Sequence, residues 1–185
     1  TGASNTAVGN NALRANTTAS NNTAVGYQAG YSNTTGGQNV AISKALYSNT
    51  TGNDNIGIGF ASLNFNTSGA SNVAIGRDSL KANTTASHNV AVGYQALLDN
   101  TTGNNCIAIG SGALANNTSA ANNIAIGTDA LITNTTGSEN TAIGRLALTA
   151  NTTGTNNSAF AYGALDSNTT GTNNIAIGRD ALAAN

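Results

Sequence analysis

The sequence predicts an all-β protein, a β-solenoid or β-roll of about eleven coils with one coil per 17 residues. Three observations lead there. The triplet Asn-Thr-Thr/Ser returns at a fixed interval. Each interval holds one short β-branched stretch that alternates with period two. Small and turn-forming residues fill the remainder, and proline is absent.

The triplet starts at Asn16, Asn33, Asn49, Asn66, Asn83, Asn100, Asn117, Asn134, Asn151 and Asn168. Every interval is 17 residues except the 16 between Asn33 and Asn49, and Asn185 continues the register. The missing residue falls between Ala41 and Ala45, where other coils read Ala-Ile-Gly-x-x-Ala. A deletion in the turn after a strand is expected to shorten a loop and leave the strand register alone. Residues 1–185 therefore read as one repeat array. Both ends stop in register with the repeat, so the expectation is an excerpt of a longer array, or coils that continue end to end in a filament.

The period selects the architecture. Helical repeats need roughly 33 residues or more for two helices and a turn. Seventeen residues fit one solenoid coil of two or three short strands. In a clean copy, Ile175-Ala176-Ile177 alternates and Gly178 supplies the turn. A helix would be broken in every coil by the Asn-Thr-Thr-Gly spacer. Coils stacked about 4.8 Å apart would make a rod of roughly 50 Å.

Columns read down the repeat are restricted. One is leucine from Leu13 to Leu182, interrupted at Gly30, and another is Ile or Val from Val8 to Ile177, interrupted at Phe160. Between the β-branched positions runs a third column: Ala7, Ala24, Ala41, Gly57, Ala74, Ala91, Ala108, Ala125, Ala142, Ala159 and Ala176. It admits nothing larger than alanine and points away from the Ile/Val column. If one face is the coil interior, such restriction on the other suggests a closely packed neighbouring chain about a symmetry axis, with Ala24, Ala41, Ala74, Ala91, Ala108, Ala125, Ala142 and Ala176 as the packing column. The alternative is a thin coil whose interior admits only alanine, with a modestly apolar outer face.

Composition narrows the function classes. Hydrophobic residues are 39% of the chain, but only 7% are charged and 4% aromatic. A net charge of −1 without a basic block gives no electrostatic grip on nucleic acid. No apolar run approaches the roughly 18 residues that cross a bilayer, so no membrane insertion is expected. One cysteine allows no internal disulfide.

Asn72 to Leu80 (Asn-Val-Ala-Ile-Gly-x-x-Ser-Leu) and Asn123 to Leu131 (Asn-Ile-Ala-Ile-Gly-x-x-Ala-Leu) resemble the head repeats of trimeric autotransporter adhesins. They also resemble the Asn-Thr-Thr-Gly-rich repeats of some phage tail fibres. The resemblance covers essentially the whole chain. It implies a left-handed β-roll, three parallel chains, and an adhesive role outside the cell or on a virion. The adhesin repeat is typically shorter than 17 residues, and stalk heptads and a membrane anchor are missing here, so the architecture carries over better than the biology.

Two asparagine columns differ. The one before the strand (Asn5, Asn22, Asn39, Asn55, Asn72, Asn89, Asn123, Asn140, Asn157 and Asn174, with Cys106 in one slot) reads as stacked amides bonding from coil to coil. The ten Asn-Thr-Thr/Ser copies are each an Asn-x-Ser/Thr sequon. They are candidate N-glycosylation sites, one glycan per coil along one edge. The alternative is a turn in which Asn and Thr cap backbone groups and stack as ladders. Regular threonine arrays also raise ice binding. Against it, Thr17 and Thr18 point to opposite faces if the segment is extended.

Catalytic chemistry is not expected, and no cofactor is. Asp78, Asp129 and Asp180 share a turn column but lie several coils apart, too far for a carboxylate pair. His88 and Cys106 occupy neighbouring columns of successive coils, yet a nucleophile needs a base, an orienting group and a pocket. Tyr27, Phe60, Tyr94 and Tyr162 recur in a variable turn column and offer faces for sugars. The expected function is a structural extracellular fibre, with a receptor-binding head or phage fibre segment as the alternative and an ice-binding solenoid as the third. Its expected partners are copies of itself, and covalent glycans or cell-surface carbohydrate.

Overall fold

A β-branched residue on each side of a small one makes the shortest segment that still reads as a strand, and every strand but one, Ser158-Ala159-Phe160, has that pattern. In the computed structural model, which describes residues 2–184, these segments are β1 (Thr6–Val8), β2 (Thr23–Val25), β3 (Val40–Ile42), β4 (Ile56–Ile58), β5 (Val73–Ile75), β6 (Val90–Val92), β7 (Ile107–Ile109), β8 (Ile124–Ile126), β9 (Thr141–Ile143), β10 (Ser158–Phe160) and β11 (Ile175–Ile177). Asn185 lies outside the described residues. The strands pair in sequence order as one 11-stranded sheet, and every pairing is parallel. The protein is a parallel β-solenoid of about ten turns, with no helix among the described residues.

The shortened interval leaves the register intact. Ala24 pairs with Ala41 and Ala41 with Gly57, so the deletion is absorbed after β3. There Ser43 takes the slot held by glycine in most coils, with φ 73°.

Each coil has one strand rather than the two or three expected. The rest of the coil turns through positions of positive φ. The leucine column is one of them, at φ 52° in Leu46, 51° in Leu114 and 52° in Leu148. Left-handed backbone costs an L-residue about 1–2 kcal/mol, whereas burying a leucine gains about 1.5–3 kcal/mol. Filling the interior wins, narrowly. Gly30 takes the slot at φ 57° without the steric cost, but leaves a cavity of about 10 Å³ lined by Leu13, Ala41, Leu46 and neighbouring asparagines. Coil-to-coil hydrogen bonds still continue beyond the sheet. The Leu13 N–H donates to Ala29 O at 3.0 Å, that of Ala15 to Tyr31 O at 3.0 Å, and that of Thr17 to Thr34 O at 3.2 Å.

The alanine column corrects the chain-packing expectation. Ala24, Ala41, Ala74, Ala91, Ala108, Ala125, Ala142 and Ala176 are at most 3% exposed in the single chain, because they are its interior. They pack with the leucine column in one continuous core. The column stays small because the opposite wall is close. A Cβ added at Gly57 would lie 3.1 Å from Ala45 Cβ and 3.2 Å from Leu46 Cγ. The thin-coil alternative is the one that holds, and the apolar face left outside is the Ile/Val pair.

Candidate functional site

The two asparagine columns are both structural. In the file before the strand, the Asn39 N–H donates to Asn22 Oδ1 and that of Asn55 to Asn39 Oδ1, each at 2.9 Å. The same side chains donate across the coil, Asn39 Nδ2 to Gly52 O at 2.9 Å and Asn55 Nδ2 to Gly69 O at 2.8 Å. Acceptor and donor are both engaged, which is why an amide can sit in the interior.

The Asn-Thr-Thr file corrects the glycosylation expectation. Asn33, Asn49, Asn66, Asn83, Asn100, Asn117, Asn134, Asn151 and Asn168 are at most 2% exposed. Their amide hydrogens are in use. Asn83 Nδ2 donates to Asn66 Oδ1 at 2.7 Å and to Ala86 O at 3.0 Å. A glycosidic bond replaces one of these hydrogens with a sugar and needs the nitrogen at the surface. Asn16, in the first coil, is half-buried and donates to Ala19 O at 3.2 Å. The column is the turn ladder.

The threonines follow the same logic. Thr34 Oγ1 donates to Thr50 O and Thr101 Oγ1 to Thr118 O, both at 2.9 Å, so the first hydroxyl file bonds along the axis. The triplet is a bend rather than a strand, so strand alternation does not apply and both threonine files reach the surface. The file of Thr18, Thr35 and Thr51 is exposed.

Cys106 sits wholly inside, in an asparagine slot, with Sγ 3.4 Å from Ala120 O. Burial pushes its thiol up, opposed in part by the Asn123 and Asn122 N–H groups. His88 is exposed in the neighbouring column. A buried, protonated thiol is a poor nucleophile. Its presence also interrupts the ladder, since a thiol is a weaker acceptor for the Asn123 N–H than an amide oxygen. Restoring the amide with Cys106→Asn is expected to stabilise the fold by about 1 kcal/mol, read from denaturant melts at neutral pH. The raised thiol pKa adds a pH signature. Its stabilisation is complete below the unfolded thiol value, roughly 8.5, and is lost as pH rises through the higher folded value. The gap between variant and native chain should therefore widen above that pH.

Two features remain on the outside. Positions one and three of each strand face out and form a sheet face of Val, Ile and Thr, with Ser158 and Phe160 in β10. Val25, Ile42, Ile75, Ile109 and Ile143 are each 37–39% exposed. Beside it runs the column that follows the turn residue: Asn10, Tyr27, Lys44, Phe60, Arg77, Tyr94, Ser111, Thr128, Arg145, Tyr162 and Arg179. It holds four of the chain's six cations, three of its five tyrosines and one of its three phenylalanines. Arg145 and Arg179 stack on Tyr162, their guanidinium carbons 5.8 and 5.3 Å from the ring centre. Arg77 Nε pairs with Asp78 at 3.2 Å and Arg179 Nε with Asp180 at 3.3 Å. Lys44, in the shortened coil, leans its ammonium to within 5.0 Å of the Tyr47 ring centre, and Tyr47 in turn stacks on Tyr31 at 5.0 Å.

The sequence reading singled out the four aromatics as one turn column but did not set Arg77, Arg179 and the other cations between them. The signal was present as one column read coil by coil. No known protein family, curated protein or solved structure matches this chain.

Proposed function

We propose that the chain is a non-catalytic structural element of an extracellular or virion-surface fibre, a rigid shaft that associates in parallel with copies of itself, three in the favoured arrangement. The observation that carries this reading is the outer sheet face, whose third-position file from Val8 to Ile177 runs about 50 Å along the rod as an unbroken apolar strip. A strip of that length on a nearly uncharged chain favours a partner with the same repeat, since identical coils match in register along their whole length. The amide ladders support a mechanical role, because each coil is tied to the next at several points around its circumference. A second reading, an adhesive segment, is favoured by the exposed aromatic and cationic column.

Sedimentation equilibrium tests the association. The chain should sediment as an elongated oligomer, and the triple variant Ile75→Lys, Ile109→Lys, Ile143→Lys, whose changes all lie on the outer face, should fall to a folded monomer. A native chain that stays monomeric at high micromolar concentration would sink the association half of the proposal. For the shaft half, removal of residues 107–123, one complete coil, should shorten the rod and leave it folded.

A further inference from the structure

The column beside the sheet face alternates in a way that the fold does not require. Even-numbered coils carry Tyr27, Phe60, Tyr94 and Tyr162, and odd-numbered coils carry Lys44, Arg77, Arg145 and Arg179, with Ser111 and Thr128 as the interruption between two segments. Successive positions are one coil apart, about 4.8 Å along the axis, so aromatics recur about every 9.6 Å. These are close to the lengths of one pyranose and of one disaccharide in an extended β-linked polysaccharide. Tyr27, Phe60 and Tyr94 are 59%, 53% and 48% exposed. Among the described residues no cation is stacked on these three rings, unlike Tyr162. Gln28 and Gln95, each next to a tyrosine, add amides suited to sugar hydroxyls.

We propose that the ridge from Tyr27 to Tyr94 binds a linear polysaccharide laid along the rod axis, one sugar per coil, with an acidic sugar at every second position. Aromatic faces take the apolar face of one sugar, as they do for other flat apolar surfaces. The cation one coil on meets the carboxylate of the next sugar. Arg77 engages Asp78 through Nε, which leaves the two terminal nitrogens of its guanidinium for that carboxylate. Lys44 meets it by swinging its four-carbon stem away from Tyr47, a rearrangement of one half-exposed side chain. A neutral polysaccharide would use the rings but gain nothing from the cations. The inference deepens the adhesive side of the fibre reading and rests on the extended scaffold.

The test is isothermal calorimetry with two six-sugar probes: a hyaluronan oligosaccharide, which alternates an acidic with a neutral sugar, and chitohexaose, which is neutral throughout. The hyaluronan probe should bind at least about tenfold more tightly. Lys44→Gln with Arg77→Gln should abolish that preference while retaining weak binding of both. Tyr27→Ala, Phe60→Ala and Tyr94→Ala together should remove both. A register variant, Arg77→Tyr with Tyr94→Arg, keeps composition but breaks the alternation, and should lose at least about tenfold for hyaluronan. Equal affinity for the two probes, no binding of either, or ridge variants that bind like the native chain would each overturn the proposal. All variants lie in surface turns, and a circular-dichroism melt shows whether each is folded. Sedimentation of the same samples reports the fibre reading separately, so loss of binding with the oligomer intact counts against the ridge alone.

Discussion

Leu114→Ala should remove about 2–5 kcal/mol of folding stability, the range for deleting a fully buried leucine side chain. Leu114 is 0% exposed, mid-array, and packs with the alanine column on the opposite wall. That wall cannot collapse into the space, because its alanines are already at the end of their reach and the coil spacing is fixed by the ladders. The cavity term should therefore persist. The same substitution at Leu182, which is 49% exposed in the last coil, should cost much less. Chemical denaturation of both variants gives the contrast. Equal costs at the two positions would mean that the array does not pack as a line of nearest-neighbour coils.

Asn83→Asp is the second large effect, and it conserves volume. Asn83 is fully buried and donates both amide hydrogens, to Asn66 Oδ1 and to Ala86 O. A carboxylate would turn a negative oxygen toward those two acceptors, with no cation among the described buried residues to offset it. At neutral pH the loss should be about 3–5 kcal/mol, as for a buried charge left without its partner. Burial and the facing acceptors raise the carboxyl's folded pKa above the unfolded value, roughly 3.9. The charge penalty is therefore absent below that value, and grows as pH climbs from it toward the folded pKa. Melts at pH 3 and pH 7 should show the variant closer to the native chain at the lower pH. A neutral-pH loss under about 1 kcal/mol would mean that the nitrogen is free, and would reopen the column to glycans.

Much of the fold was legible in the sequence. The interval between successive Asn-Thr-Thr triplets gave the coil, the Ile175-Ala176-Ile177 pattern gave the strand, and the slot of the missing residue near Ser43 was placed in the turn after β3. The file of Asn22, Asn39 and Asn55 was read as stacked amides and bonds from coil to coil as such. What misled was symmetry of character. Both parities of the strand are apolar, alanine on one and Ile or Val on the other, so alternation alone could not say which side is inside. Likewise Asn-Thr-Thr satisfies the chemistry of a sequon and of a turn ladder equally.

The sequence by itself therefore determined the period, the stacked-coil architecture and the columns, because hydrophobic alternation and turn chemistry are local properties of the chain, whereas the single strand per coil came only with the fold. The tertiary structure alone decided which columns are buried. Closing a 17-residue coil leaves an interior only wide enough for alanine against leucine, which forces Ile and Val outward. The same closure draws the asparagine amides inward, where they bond to carbonyls of their own turn and to amides of the adjacent coils.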